Sequence, residues 1–304
     1  MRNKSSQVFY LVKFAIKSRI REVYKKPLLC SFKITGDCNL KCAHCPFWRN
    51  AAKNSLDFEN VKQILENLYL DGVRIVIFEG GEPLLWKDKP SGKDINDVIE
   101  YAKTLFFFTC VTSNGTVDIE RFNPDLFFIS IDGLKETHDK LRGKSFDSIM
   151  RNIEKNRRQK KIIANICISS ENVDEIEELV KFLNDKVYGI TIQFFYPYDN
   201  VEDLRLGNKE KKELLKNLIG LKRKKMKLLN SISCMKMMVN NTWKCDDFLV
   251  ANVEQDGRVS QGCYLKNKAV EVSCVDCGFA VHCEISLAYS LNIGALNSAR
   301  KIFW

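Results

Sequence analysis

Two hydrophobic periods alternate along the chain. Short, near-continuous apolar runs predict strands over residues 29–35, 73–78, 106–112, 126–131, 162–168 and 188–195. Between them, apolar residues recur at helical spacing. Helices are predicted over 57–70 (Val61, Ile64, Leu65, Leu68), 94–105 (Ile95, Val98, Ile99, Ala102) and 173–183 (Val173, Ile176, Val180, Leu183). Residues 147–158 read as the continuation of a longer helical segment, and 209–227 as a further helix. A strand as uniformly apolar as 73–78 is buried on both faces, as in a parallel sheet covered by helices. Six β–α units in succession predict an α/β fold, a partial (β/α)6 TIM-like barrel. Chemistry then belongs at the carboxyl ends of the strands.

The two ends of the chain read differently. Residues 8–24 predict an amphipathic helix, with Phe9, Val12, Ile16, Ile20 and Val23 on one stripe and Lys13, Lys17 and Arg21 on another. Such a helix either flanks the main domain or lies on an anionic membrane surface. Beyond residue 233 the apolar periodicity fades and cysteines become dense. Asp256-Gly257, between Val253 and Val259, reads as a hairpin turn. The thin apolar content there predicts folding that depends on a metal or cluster. The expected organisation is an N-terminal helix over 1–27, a barrel over 28–230 and a small Cys-rich C-terminal extension over 231–304.

Composition narrows the class. Hydrophobic residues make up 45% and charged residues 28% of the 304, as in ordinary globular proteins. No stretch approaches the roughly 18 apolar residues that span a bilayer, and the apolar run at 8–12 stops at Lys13. The polar first six residues do not resemble a secretory signal. The expectation is a cytoplasmic protein, with peripheral membrane contact through residues 8–24 as a variant. The formal charge of +10 admits nucleic acid, anionic lipid or an acidic protein as partner. No aromatic-interleaved basic motif points to nucleic acid. The lysines of 209–212 and 222–227 are expected on solvated helix faces.

Twelve cysteines in such a chain suggest ligation rather than disulfides. Cys30, Cys110 and Cys167 sit in strand-like runs and are expected to be small buried hydrophobes. Cys38, Cys42 and Cys45 follow the first strand in a Cys-x3-Cys-x2-Cys array. Three thiolates at this spacing can hold three corners of a [4Fe-4S] cluster and leave the fourth iron open. A zinc site is the alternative. It lacks a paired second half nearby, and His44 is too close in sequence to complete a tetrahedron easily. Polar or glycine-rich runs end the next three strands: Gly80-Gly81-Glu82-Pro83, Ser113-Asn114-Gly115 and Ser130-Ile131-Asp132-Gly133.

Together these motifs resemble those of the radical S-adenosylmethionine (SAM) superfamily. The run through Asp132-Gly133, His138-Asp139, Leu141-Arg142-Gly143 and Ser145-Phe146 resembles the subgroup with a C-terminal SPASM or twitch extension. The resemblance covers roughly residues 29–283. It implies that Cys38, Cys42 and Cys45 ligate a [4Fe-4S] cluster whose open iron holds the methionine part of SAM. It also implies reductive cleavage of SAM to a 5′-deoxyadenosyl radical that abstracts hydrogen from a substrate C–H. On the same footing, Gly80 and Gly81 would admit the methionine amino group and Glu82 would accept from its ammonium. Ser130 and Asp132 would bind the ribose hydroxyls, with a strand-end cap as their alternative role. Arg142 would pair with the methionine carboxylate, Asn114 would face the site, and His44 would pack near the cluster or adenine. Glu79 departs from the small or hydroxyl residue common in the family before the glycines.

The second cysteine group resembles a truncated SPASM region: Cys245, then Gly257 and Cys263, then Cys274-x2-Cys277-x5-Cys283. Leu287 stands where the full pattern has a further cysteine. One auxiliary [4Fe-4S] cluster is implied, on Cys263, Cys274, Cys277 and Cys283, with Cys245 as the alternative ligand and structural zinc as the alternative occupant. The implied partners are a reductant such as ferredoxin or flavodoxin and a peptide or protein substrate. A lipid or other membrane-associated substrate is the alternative, and a non-catalytic iron–sulfur redox protein is the rival reading.

Overall fold

A computed structural model describes residues 3–49, 55–197, 203–267 and 272–304. Eight strands form one sheet: β1 (Leu29–Thr35), β2 (Ile75–Gly80), β3 (Phe108–Ser113), β4 (Leu126–Ser130), β5 (Ile162–Ile168), β6 (Gly189–Phe194), β7 (Val250–Val253) and β8 (Val259–Gln261). Their order is β6-β5-β4-β3-β2-β1-β7-β8. The first six strands are consecutive parallel neighbours, as the alternating periods predict. The cysteine-rich end of the chain joins the same sheet, since β7 lies parallel to β1 with Leu29 opposite Val250. The Asp256-Gly257 turn returns the chain into antiparallel β8, with Gly257 at φ +85.

Helices α1 (Lys4–Ile20), α2 (Phe58–Leu70), α3 (Ile95–Leu105), α4 (Lys135–Arg142), α5 (Phe146–Asn156), α6 (Ile176–Leu183), α7 (Asn208–Arg223), α8 (Ile232–Met238), α9 (Ala280–Tyr289) and α10 (Ile293–Phe303) accompany the sheet. Strand alternation divides the packing in two. Cys30, Phe32 and Ile34 of β1 join Val61 and Leu65 of α2 and Val98 and Ile99 of α3 in the outer core. The inward positions near the amino ends of the strands form a second cluster around Phe108, Cys110, Leu126 and Ile163, closed by Phe303 and Trp304. That end of the barrel is therefore filled, and the carboxyl ends are left for chemistry.

Several expectations change. The helical segment before residue 158 is two helices, broken at Gly143 (φ +78). The break makes Arg142 the last residue of α4, pointing back to the strand ends. Cys30 and Cys110 are buried as expected, whereas Cys167 is only partly covered and faces the strand-end site. Lys211 is buried rather than solvated: its Nζ donates to Asn241 Oδ1 (3.2 Å) and stands 5.0 Å from the Phe194 ring centroid. Among the described residues, no helix is long and apolar enough to cross a membrane.

Candidate active site

The loop that leaves β1 carries Cys38, Cys42 and Cys45, and hydrogen bonds to backbone carbonyls fold it over the strand ends. Cys45 N–H donates to Cys42 O (3.2 Å), Ala43 N–H to Leu141 O (2.8 Å) and Trp48 Nε1–H to Cys42 O (2.8 Å). The three thiols influence one another electrostatically. Burial raises the pKa of each, that of Cys42 to about 11. Arg142 opposes the rise at Cys42 and Cys45. A thiol must lose its proton to ligate, so a guanidinium beside buried cysteines favours metal binding. The donor set is thiol alone, which suits an iron–sulfur cluster. Among the described residues, no group of three or more His, Cys, Asp or Glu converges as it would around one metal ion.

Gly80 and Gly81 hold this loop in place. Gly81 N–H donates to Thr35 O and Glu82 N–H to Asp37 O, both at 2.7 Å. A Cβ on Gly80 would overlap the Thr35 carbonyl oxygen, and one on Gly81 the Asp37 carbonyl. Gly80 also has φ +127. What these glycines demonstrably admit is the chain's own cysteine loop.

Glu82 is fully buried and turned inward. Its Oε1 accepts from Ser113 Oγ (2.9 Å) and Leu84 N–H (3.1 Å), and its Oε2 from Asn114 N–H (2.7 Å). It therefore ties the ends of β2 and β3 together. Asn114 continues the chain of contacts: its Nδ2 donates to Asn39 Oδ1 (2.8 Å) and lies 3.8 Å from Cys38 Sγ. Burial pushes the Glu82 carboxyl up to about 7, against the pull of its three donors. A carboxyl raised from 4.5 on folding holds its proton more tightly in the folded state, so its contribution to stability falls as pH rises from about 4.5 to about 7. The unfolding free energy of the apo chain minus that of Glu82→Gln is expected to fall by roughly 3 kcal/mol between pH 5 and pH 8, as read from urea unfolding. A difference that is flat or rises with pH would contradict this.

Ser130 ends β4, and Asp132 lies just beyond it, fully buried. Asp132 Oδ1 accepts from Cys167 N–H (2.8 Å), and its Oδ2 accepts from Arg142 Nε. His44 Nε2 lies 3.5 Å from the same Oδ2. Burial would raise the Asp132 carboxyl, but Arg142 and His44 hold it below the usual carboxylate range. Burial drops His44 to about 4, so its ring is neutral. Arg142 thus sits between an aspartate and two thiols. Its placement follows from α4: His138 accepts from Asp132 N–H (3.3 Å) and meets Ser145 Oγ (3.1 Å), while Asp139 Oδ1 accepts from the N–H groups of Ser145 and Phe146 (both 2.9 Å).

The second cysteine group assembles differently from the expected set. Cys283 is fully buried in the outer core beside Cys234, its Sγ 4.0 Å from Cys234 O. It turns away from Cys274 and Cys277. Cys245 lies by the others instead: its Sγ is 4.0 Å from His282 Nδ1, and Cys277 and Cys263 act on its thiol. Cys245, Cys263, Cys274 and Cys277 form one chain of electrostatic neighbours, with buried His282 beside Cys245. The reason is helical geometry. Adjacent residues on α9 point about 100° apart, so His282 faces the cysteines and Cys283 faces α8. Sequence reading also missed Lys33. This buried cation on β1 has its Nζ 3.5 Å from Glu254 and 4.0 Å from Glu79, and it stands over the Tyr264 ring (4.0 Å). A lysine at an inward strand position was the available signal. Glu79, the residue that departs from the family pattern, is one of its partners.

Three thiols, a buried ion pair and glycine-dependent loops thus stand together at the carboxyl ends of a parallel sheet, the place where a partial barrel carries its chemistry. The family model for the radical SAM superfamily matches residues 32–183, half of the 304. The chain belongs to the radical SAM superfamily, whose members use a [4Fe-4S] cluster and SAM. It is 28% identical over 178 residues to Fe-coproporphyrin III synthase of Methanosarcina barkeri, covering 53% of this chain and 42% of the relative. It is 29% identical over 168 residues to the sporulation killing factor maturation protein SkfB of Bacillus subtilis, covering 51% and 39%. The matches thus span about two fifths of the length of these curated relatives. In fold it is similar to Streptococcus suis SuiB bound to S-adenosylmethionine, with TM-score 0.66, 15% identity and coverage of 82% of this chain and 63% of that one. It is also similar to native anSMEcpe with bound AdoMet and Cp18Cys peptide, with TM-score 0.60, 16% identity and coverage of 91% and 99%.

Proposed function

We propose that this chain reductively cleaves SAM and uses the product to modify a C–H bond of a peptide or protein. The observation that carries the reading is the array Cys38, Cys42 and Cys45, folded over the strand ends and backed by Arg142. When bound, the cluster and SAM supply a 5′-deoxyadenosyl radical capable of taking hydrogen from an unactivated carbon. The residues hold and orient: the three cysteines anchor the cluster, while Gly80, Gly81, Glu82 and Asn114 fix the loops around it. Arg142 offsets negative charge beside the thiolates. Ser130 and Asp132 lie where SAM's ribose is expected, with Asp132 already engaged by Arg142. Electrons come from outside, from a reductant of the ferredoxin or flavodoxin kind.

Support for a peptide or protein substrate comes from the relatives. SkfB matures a killing factor, and SuiB has been solved with the precursor peptide SuiA. Incubation with a candidate precursor peptide deuterated at its side chains is expected to place deuterium in 5′-deoxyadenosine. Deuterium-free product at full SAM cleavage would exclude that peptide as the hydrogen donor.

The second cysteine group is proposed to hold one auxiliary [4Fe-4S] cluster on Cys245, Cys263, Cys274 and Cys277. Anaerobically reconstituted Cys245→Ala is expected to lose about half the bound iron, whereas Cys283→Ala keeps it. Equal loss in the two variants would restore Cys283 to the ligand set, and no loss in Cys245→Ala would remove Cys245 from it.

A further inference from the structure

Helix α1 meets the rest of the chain through its less aliphatic side. Gln7 Oε1 accepts from Trp304 Nε1–H (3.0 Å), Tyr10 Oη donates to Gly72 O (3.1 Å), and Ser18 Oγ donates to Tyr289 Oη (3.2 Å). The Tyr10 ring stands edge-on to Phe107 with centroids 5.3 Å apart. The opposite side carries Phe9 (70% exposed), Val12 (53%), Ile16 (53%) and Ile20 (72%), and the turn that follows adds Val23 (72%). At about 100° per residue the four helical positions form one stripe roughly 16 Å long. A helix on a protein surface ordinarily turns such a stripe inward. Contiguous exposed apolar surface of this kind marks an interaction site.

The charges around the stripe indicate what covers it. Helix α1 carries Lys4, Lys13, Lys17 and Arg19 and no acidic residue. Lys13 and Lys17 border the stripe and also line a cleft of about 210 Å³ between α1 and the barrel, with Tyr10, Phe14, Tyr24 and Lys26. Lys17 Nζ stands 5.3 Å from the Tyr24 ring centroid, and Lys26 Nζ is 3.8 Å from Asp71. Three ammonium groups thus share one cleft that opens beside an aliphatic ridge. A second copy of the chain would set these lysines against their own kind, which like-charge repulsion disfavours.

We propose that α1 is an interfacial anchor, laying its aliphatic stripe into an anionic phospholipid bilayer while Lys13, Lys17 and Lys26 receive lipid phosphate groups. Gly72 lies three residues before β2 and Phe107 one before β3, so the anchor lies at the filled end of the barrel. The cysteine loop at the opposite end faces away from the bilayer. The inference stands independently of the catalytic reading.

Co-sedimentation of the full chain with vesicles tests it. Binding is expected to phosphatidylcholine vesicles containing about 30% phosphatidylglycerol and not to phosphatidylcholine alone, and to weaken at least about tenfold between roughly 50 and 500 mM salt. Phe9→Ser/Ile16→Ser/Ile20→Ser and Lys13→Glu/Lys17→Glu should each weaken it by about tenfold or more. All five side chains are exposed, so both variants should keep the wild-type thermal transition and yield of 5′-deoxyadenosine without vesicles. Indifference to anionic vesicles, or binding untouched by either variant, would overturn the proposal. So would a dimer in light scattering that the serine variant dissolves, because the stripe would then belong to a second copy.

Discussion

Cys42→Ala is expected to lose the iron of the N-terminal site and to reduce 5′-deoxyadenosine formation to background, a loss on the order of a hundredfold or more. Cys42 is the most buried thiol of the array and the one whose pKa is driven to about 11. Its backbone carbonyl accepts from both Cys45 N–H and Trp48 Nε1–H, so the loop geometry survives removal of the sulfur. What disappears is one of three anchoring thiolates. Cys30→Ala is the matched control. Cys30 is equally inaccessible but packs in the outer core, so its loss should cost about 1 kcal/mol of stability and leave iron and product intact. Iron analysis together with chromatography of the nucleoside product separates the two. Full activity in Cys42→Ala would remove that thiol from the site.

The second large effect is on stability. Arg142→Met is expected to cost the apo chain about 3–5 kcal/mol at pH 7, because it leaves Asp132 charged and fully buried without its main counter-charge. The pH dependence follows from the signs. In the wild type, burial acts to raise the Asp132 pKa, but Arg142 and His44 more than offset it and the folded value lies below the unfolded one. Asp132 therefore contributes stability above the ordinary carboxylate range, which is lost as pH falls through the lower folded value. Without Arg142, burial prevails and the folded pKa rises above the unfolded one. The penalty is then present at neutral pH and relieved toward acid. Urea unfolding should show a larger deficit at pH 7 than at pH 4.5. The double variant Asp132→Asn/Arg142→Met should recover much of it, since the two changes act on one pair. Strictly additive losses, or a deficit that grows toward acid, would contradict the account.

The first six strands were legible because each has its apolar run, although the expected six β–α units are not all present: β3 passes to β4 with no helix between them. β7 was not, because four residues pair with β1 only through a contact across some 220 positions of chain, which local pattern does not encode. The place of Cys38, Cys42 and Cys45 on the loop after β1 follows from their short spacing behind an apolar run. Spacing does not fix helix phase, and one residue on α9 decides that Cys283 packs in the core while His282 faces Cys245. Glu82 and Asp132 were placed at the right strand ends. Their partners, Ser113 and Asn114 for one and Arg142 and Cys167 for the other, depend on how separate loops meet. For α1 the helix runs over Lys4–Ile20 rather than 8–24, so Phe9, Val12, Ile16 and Ile20 share the expected stripe and Val23 lies beyond it, while tertiary hydrogen bonds through Gln7, Tyr10 and Ser18 dock the other face.

The central claim is that the strand-end cysteine array makes this chain a SAM-cleaving enzyme. The most direct measurement is quantification of 5′-deoxyadenosine after the anaerobically reconstituted full chain is reduced with dithionite in the presence of SAM. The account predicts 5′-deoxyadenosine and methionine in equal amounts, dependent on reductant. A chain fully loaded with iron and sulfide that yields neither would contradict it.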